Sequence, residues 1–189
     1  MAERVCDAVC SYLHNTTPCR TADVPLIEED HSEQLKASRT YFPVPDLSLM
    51  HDRVGDDVEK VCERAKQLSQ TNGEGNPLLC ECEMVSLAEV ETIAKDPDTH
   101  SLTDIRLRTR MGMGTCQGTF CAIRAVNAMY EHNIPLLKNP LTEIHTFLQE
   151  RWKGLRSTTW GIQAQEMELT RAIYAGVLGL DGGYNAADK

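Results

Sequence analysis

Apolar residues return at helical spacing in several separate stretches of the chain, and this pattern predicts a mainly α-helical fold. The stretch 54–69 is one example, because its Val, Cys, Ala and Leu residues come back every three or four positions along one face. Ser86 and Glu89 have the spacing of a capping box, which predicts the start of another helix. Further helices are predicted at 2–13, 102–109, 117–131, 139–152 and 161–178.

The apolar face of the last predicted helix is expected to be buried; it consists of Ile162, Met167, Leu169, Ile173, Tyr174 and Val177. Free cysteines on such faces behave as small apolar residues. We therefore expect Cys6 and Cys10, in the first predicted helix, and Cys62, in the helix at 54–69, to be packing residues. Cys19 follows a proline in a predicted loop and has no such context.

Length and composition limit the classes of function that fit this chain. Its 189 residues suit one domain with helical extensions, and 41% hydrophobic residues indicate a globular protein. The formal charge of −9 argues against binding to nucleic acid or to anionic membrane surfaces, since both require basic patches. No membrane span or signal peptide is visible. Eight cysteines in a chain of this size favour a reducing, cytoplasmic compartment over a disulfide framework.

Four of the cysteines form two close pairs, which are the strongest candidates for chemistry in the sequence. Cys80 and Cys82 lie in LLCECEMV, and after the segment 83–115 Cys116 and Cys121 follow in RMGMGTCQGTFC. Thiolates are soft ligands that select zinc or iron–sulfur clusters over magnesium or calcium. The two pairs therefore predict a metal site with four thiolate ligands.

The spacing within the pairs favours a binuclear iron–sulfur cluster over a single zinc ion. Zinc sites mostly use gaps of two to four residues within a pair, whereas here a Cys-x-Cys pair stands beside a Cys-x4-Cys pair. Gly112, Gly114 and Gly118 surround the second pair and permit backbone N–H groups to approach the sulfur atoms. On spacing alone, a zinc site and a site without metal remain open alternatives.

Basic and polar residues next to the second pair complete the predicted surroundings of the site. Arg106, Arg108 and Arg110 alternate before the pair, and Gln117 lies inside it. The arginines are either solvated or paired with nearby glutamates, or they balance the charge of about −2 that two ferric ions, two sulfides and four thiolates carry together. The helix predicted to follow would also place Cys121 near a positive helix N-terminus, which favours a thiolate.

At these residues the sequence resembles a known kind of domain. The two cysteine pairs are similar to those of the 2Fe–2S domain of the bacterioferritin-associated ferredoxin type. The form RMGMGTCQGTFC most resembles the one in the A subunit family of anaerobic glycerol-3-phosphate dehydrogenase. Two further stretches support this closer resemblance: NTTPCRTADVPL at 15–26, similar to the end of the family's FAD-binding domain, and ERWKGLRSTTWGIQAQEMELTRAIYAGVLGL at 150–180, similar to its C-terminal tail.

The resemblance implies a function in electron transfer. In that family FAD takes two electrons from sn-glycerol 3-phosphate, giving dihydroxyacetone phosphate, and the electrons leave singly through iron–sulfur centres towards a quinone. It implies a 2Fe–2S cluster on Cys80, Cys82, Cys116 and Cys121, and FAD on a missing N-terminal part. The implied partners are this flavin domain and an iron–sulfur protein located at the inner face of the cell membrane. Because the chain has no glycine-rich dinucleotide fingerprint, we expect no dehydrogenase activity from it alone.

The predicted organisation has four parts. A small all-helical module at 77–134 carries the four cysteines, with helical extensions on both sides. By resemblance, 1–26 is the tail of the missing flavin domain; 27–76 is a connector with a helix, and 135–189 is a C-terminal helical extension. Two other functions remain open: a zinc-stapled interaction domain without redox work, and a 2Fe–2S domain of another flavoprotein, such as an amino-acid oxidase or nitrite reductase.

Overall fold

The computed structural model describes residues 2–25, 30–44, 47–71, 75–134, 139–155 and 157–180. The chain divides into two compact units, residues 1–30 and 31–189. Of the predicted boundaries, the one at 26–27 lies outside the described residues, and the one at 134–135 lies at the edge of them. The four-part organisation therefore stays a prediction.

The first unit contains helix α1, Ala2–Tyr12, and none of its residues is buried. Within the described part of this unit, α1 is the only helix or strand. Within the described residues of this unit, its apolar residues therefore have no second element to pack against. Cys6 is exposed and Cys10 is half-buried, so the expectation that both are buried packing residues is wrong in this unit.

The second unit is mainly helical, as predicted. Its α-helices are α2 Ser32–Ser38, α3 Ser48–Val54, α4 Val58–Thr71, α5 Leu87–Ala94, α6 Leu102–Thr109, α7 Cys121–Glu131, α8 Pro140–Lys153 and α9 Gly161–Leu178; short 3-10 helices lie at Arg39–Tyr41 and Gly55–Asp57. Throughout the described ranges, no helix is both long and apolar enough to cross a bilayer.

The cysteine module also contains a short hairpin, so it is not all-helical. Strand β1, Leu78–Cys80, pairs with β2, Val85–Ser86, in antiparallel orientation with an irregular register. Strands of 3 and 2 residues are too short for the alternation of apolar and polar residues that reveals a strand in sequence. The capping box of Ser86 and Glu89, in contrast, starts α5 as predicted.

One core runs through this unit and supports the cysteine module. Helix α4 packs against α5, α5 packs against α6 and α7, and α8 packs against α6 and α7. Large side chains that are fully buried between these helices include Val58, Val61, Leu68, Val90, Ile93, Leu102, Ile105, Met129 and Phe147. Burying each such side chain contributes about 1.5–3 kcal/mol. Cys62 lies in the same core, which confirms its predicted packing role.

Helix α9 forms as predicted, but most of its apolar face is not in the core. Ala175 is its buried residue, and Met167 and Tyr174 are half-buried. The expected burial is wrong for Ile162, Leu169, Ile173 and Val177, which are all more than half exposed. Since α9 contacts the rest of its unit along one narrow side, the other sides of the helix remain in solvent.

Candidate functional site at the two cysteine pairs

The first cysteine pair lies on the hairpin. Cys80 is the last residue of β1 and pairs with Val85 of β2, while Cys82 lies in the turn that connects the strands. The exposed fraction of Cys80 is 1%, whereas Cys82 is exposed. Met84 adopts a left-handed conformation with φ of 52° before β2 begins. The hairpin therefore directs one thiol into the protein and leaves the other at the surface.

Arg53 of α3 fixes this hairpin to the core. Its guanidinium donates hydrogen bonds to the carbonyl oxygens of Glu83, at 2.8 Å, and Met84, at 3.2 Å. It also forms an ion pair with the buried carboxylate of Glu89, at 2.6 Å. A buried ion pair requires further hydrogen bonds for its remaining polar atoms, and here Ser86 and the turn carbonyls supply them. The position of the turn is therefore tied to a buried charge pair.

The second cysteine pair lies in the loop that joins α6 to α7. Arg110 ends α6 in the left-handed conformation, and Gln117 and Gly118 also have positive φ angles, of 54° and 92°. Left-handed residues interrupt α-helical geometry, so α7 begins at Cys121 and not at 117 as predicted. Cys121 does lie at a helix N-terminus, as expected.

Two glycines of this loop allow it to lie against its neighbours. A Cβ atom on Gly118 would come within 2.8 Å of Cε1 of Phe147, and one on Gly114 would come within 2.4 Å of Cβ of Cys82. Neither distance is sterically acceptable, so only glycine fits at either position. The glycines therefore bring the second cysteine loop against the hairpin on one side and against α8 on the other.

Sulfur atoms from the two pairs meet inside the module. The thiol of Cys121 forms a hydrogen bond with the sulfur of Cys80, and backbone N–H groups of Gly112, Glu83 and Cys82 are directed at the same sulfur. The thiol hydrogen bond, together with these N–H groups, lowers the pKa of Cys80 to about 6, against the opposing effect of burial. Cys80 is therefore prepared to act as a thiolate, which is the form that binds metals.

The other thiols complete the arrangement. The pKa of Cys121 is raised by its hydrogen bond to Cys80, by burial, and by the negative charges of Cys80 and Cys116. Cys82 packs against Gly114 of the second cysteine loop, so the two pairs meet at two points, Cys80 with Cys121 and Cys82 with this loop. Among the described residues, no three His, Cys, Asp or Glu side chains are arranged to hold a metal ion. The assignment of the four cysteines as ligands stays a prediction.

The donor set fits an anionic iron–sulfur group chemically. Soft sulfur donors come from both pairs, and backbone N–H groups converge on one of them. Cys121 adds the positive end of a helix dipole. These are the features that stabilise thiolates and bridging sulfides.

Gln117 and Arg110, both predicted to surround the site, have different roles in the structure. The side-chain amide of Gln117 donates to the carbonyl oxygens of Met113, at 3.0 Å, and Gly114, at 2.9 Å, and so holds the loop together. Arg110 instead forms an exposed ion pair with Glu83, at 3.0 Å. Pairing with carboxylates, one of the two interpretations of the arginines, therefore applies to Arg110.

The neighbouring arginines also differ from one another. Arg108 forms ion pairs with Asp96, at 3.0 Å, and Asp57, at 3.3 Å. Arg106 has a buried Nε atom without a hydrogen-bond partner in the described part of the chain. Its charge interacts with that of Arg151 on α8, a residue that contacts the cysteine loop and that sequence reasoning missed.

Three supporting residues were not found from the sequence: Arg53, Phe147 and Arg151. They come from helices far along the chain from the cysteines they support. Each lies within an ordinary amphipathic helix, and no local motif marks it. A signal for Arg151 existed only in the resemblance of the stretch 150–180 to the tail of a known family.

Comparison with curated proteins shows the class of protein that this chain is similar to: its relatives are subunits of anaerobic dehydrogenases. In particular, they are named as the A subunit of anaerobic glycerol-3-phosphate dehydrogenase. The protein from Escherichia coli K12 is 36% identical over 181 residues, which cover 96% of this chain and 32% of that protein. The protein from Haemophilus influenzae is 34% identical, covering 96% of this chain and 31% of that protein.

A third relative extends the match to the whole chain. The A1 subunit from Haloferax volcanii is 33% identical over 189 residues, covering 100% of this chain and 30% of that protein. The chain thus spans about a third of the length of the curated relatives it matches. The predicted resemblance to this family is confirmed, and the coverage is consistent with a C-terminal part of such a protein. No protein-family model matches the chain, and no solved structure matches it.

Proposed function

We propose that this chain is the electron-transfer part of an FAD-dependent glycerol-3-phosphate dehydrogenase, and that Cys80, Cys82, Cys116 and Cys121 hold a 2Fe–2S cluster. The observation that carries the proposal is that two pairs far apart in sequence meet in the fold, because Gly114 of the second loop lies against Cys82 and Cys121 interacts with Cys80. The names of the relatives support the enzyme class. When bound, the cluster would supply one-electron chemistry next to a flavin that receives electrons in pairs.

The residues of the chain would present and shield the four thiolates. Cys80 and Cys121 are each 1% exposed, so the fold excludes water from two of the four sulfur atoms. Arg53 and Glu89 hold the hairpin, while Gly118 seats the second loop against Phe147. Because these contacts come from the core, the thiols would be oriented before any metal binds, which lowers the entropic cost of binding.

The remaining parts of the system are proposed from the family resemblance. FAD would bind to a part of the longer polypeptide outside this chain, where sn-glycerol 3-phosphate would be oxidised to dihydroxyacetone phosphate. Electrons would pass to an iron–sulfur protein located at the inner face of the cell membrane and on to a quinone. The chain would therefore act on the cytoplasmic side. Its formal charge of −9 supports protein partners over nucleic acid.

Anaerobic purification tests the metal assignment. We expect iron and inorganic sulfide in equal amounts, absorption in the visible range, and a paramagnetic EPR signal after reduction with dithionite. A colourless sample that contains zinc and no iron would contradict the cluster and would favour the zinc-stapled interaction domain. We also expect no oxidation of glycerol 3-phosphate by the chain alone with artificial acceptors, even after FAD is added.

Single cysteine substitutions test the ligand set. Replacing Cys80, Cys82, Cys116 or Cys121 with serine should remove most of the visible absorbance and iron per chain. The matched control is Cys62→Ala, because Cys62 is also buried but lies on helix α4, outside both cysteine pairs. It should cost about 1–2 kcal/mol of stability and leave the iron content unchanged. If Cys62→Ala loses the iron while Cys80→Ser keeps it, the ligand assignment is wrong.

A further inference from the structure

Arg151 connects helix α8 to the loop that carries the second cysteine pair. Its Nη2 atom donates to Oε1 of Gln117 at 2.8 Å, and its Nη1 atom donates to the carbonyl oxygen of Gly112 at 3.4 Å. Gln117 in turn donates to the carbonyl oxygens of Met113 and Gly114. The planar fork of one guanidinium therefore fixes two points of the loop, and through Gln117 it reaches the glycine that packs on Cys82.

Within the described residues, the charge of Arg151 has no carboxylate partner. Arg108 and Arg110 each form ion pairs with carboxylates, but among the described residues no carboxylate lies within ion-pair distance of Arg151. Burial lowers the pKa of Arg151, as does the charge of Arg106, while the nearby Cys116 and Cys121 raise it. As ligands of the proposed cluster, these cysteines would be thiolates and would place negative charge beside this half-buried guanidinium.

We propose that Arg151 is a positioning residue of the cysteine site, which holds the loop 112–117 in place and, through its positive charge, raises the reduction potential of the bound cluster. This inference rests on the proposed function. Reduction adds one negative charge at the site, and a nearby positive charge stabilises the reduced state more than the oxidised state. A unit charge at about 10 Å in a medium with an effective dielectric of about 20 changes a one-electron equilibrium roughly tenfold.

Three variants of the full chain separate the two roles. Arg151→Gln removes both the charge and the fork, whereas Arg151→Lys keeps the charge and loses the fork. Lys153→Gln is the matched control, because Lys153 lies on the same helix and carries the same charge but is exposed and pairs with Glu150. Each variant is loaded anaerobically with iron and sulfide and titrated against redox mediators. Amide hydrogen exchange is measured on the metal-free chain.

We expect Arg151→Gln to raise the ratio of oxidised to reduced cluster about tenfold at a fixed applied potential, a shift of about 59 mV to lower potential. Arg151→Lys should retain most of the wild-type potential. Both variants should speed exchange of the loop amides, while Lys153→Gln should change neither measurement.

The outcomes distinguish this inference from the proposed function. A wild-type chain that takes up no iron would overturn the proposed function and the electrostatic role with it. The exchange measurement would then still decide whether Arg151 positions the loop. A loaded wild-type chain whose potential is unchanged in Arg151→Gln would overturn the electrostatic role alone. Unchanged exchange in Arg151→Gln would overturn the positioning role.

Discussion

Gly118 offers the sharpest test of how the second cysteine loop is held in place. Its φ of 92° lies in the left-handed region, and a Cβ atom there would come within 2.8 Å of Cε1 and 2.9 Å of Cζ of Phe147. Phe147 is 1% exposed in the core, so its ring has little room to move. We predict that Gly118→Ala is strongly destabilising.

The magnitude follows from three contributions. A side chain at positive φ costs about 1–2 kcal/mol, and an extra methyl group in a packed core costs about 1–3 kcal/mol. Alanine also restricts the unfolded chain, which returns about 0.4–1 kcal/mol. The expected loss is therefore about 2–4 kcal/mol in the free energy of unfolding. A typical domain has a free energy of unfolding of about 5–15 kcal/mol, so this loss is a large part of it.

Urea denaturation followed by circular dichroism measures this loss as a shift in midpoint at constant slope. The matched control is Gly154→Ala, because Gly154 has a helical φ of −84° and nothing within 4 Å of its Cβ position. That change should leave stability unchanged or raise it by up to about 1 kcal/mol. A double variant with Phe147→Leu relieves the steric part and should show a favourable coupling of about 1–3 kcal/mol.

Two results would refute this reasoning. A loss in Gly118→Ala of less than about 0.5 kcal/mol is typical of an unconstrained surface position and would mean that the loop is free to move away from Phe147. If Gly118→Ala lowers the free energy of unfolding by the expected amount but shows no coupling to Phe147→Leu, the whole cost comes from the backbone conformation. The contact between Gly118 and α8 would then contribute nothing to stability.

Two further predictions concern stability. Arg53→Met leaves the buried carboxylate of Glu89 unpaired and should cost about 3–5 kcal/mol in urea denaturation; a loss no larger than that of Lys60→Met, which breaks an exposed pair, would contradict this. The pKa of Asp104 is lowered, chiefly by the backbone N–H of His100, so it stabilises the fold above its unfolded pKa of about 3.9 and loses this effect as the pH falls further. The stability difference between wild type and Asp104→Asn should therefore shrink from pH 6 to pH 3; a constant difference would contradict this assignment.

The helical elements of the second unit were largely predictable, because their signals are local. The apolar spacing in 54–69 and the capping box at Ser86 and Glu89 act within one or two turns of chain, and α4 and α5 follow them. Burial was less predictable, since it depends on which elements lie near each other. Helix α9 has apolar residues at helical spacing, yet Val177 is 79% exposed because the helix meets its unit along one narrow side.

The candidate site shows the same division. The cysteines and the glycines near them were visible in the sequence, because metal-binding residue types stand in close pairs. The residues that hold them were not visible, since Arg53 and Arg151 reach the loops from α3 and α8 through side-chain hydrogen bonds. Arg110 carried a local signal and yet pairs with Glu83 at the surface. Among the arginines, sequence proximity to a candidate ligand was thus a poor guide to support for the site, whereas Gln117, inside the second pair, does hold the loop.

The four thiols are unequally exposed, so one side of the site is closer to solvent than the others. Cys80 and Cys121 are buried and Cys116 is half-buried, while Cys82, in the hairpin turn, is the most exposed of the four. If the four cysteines hold a cluster as proposed, an external electron donor or acceptor would come closest to it over this turn. The glutamates at 81 and 83 are each paired with an arginine. The approach face is thus locally balanced in charge, although the chain as a whole carries −9, and an acidic redox partner would meet little repulsion there.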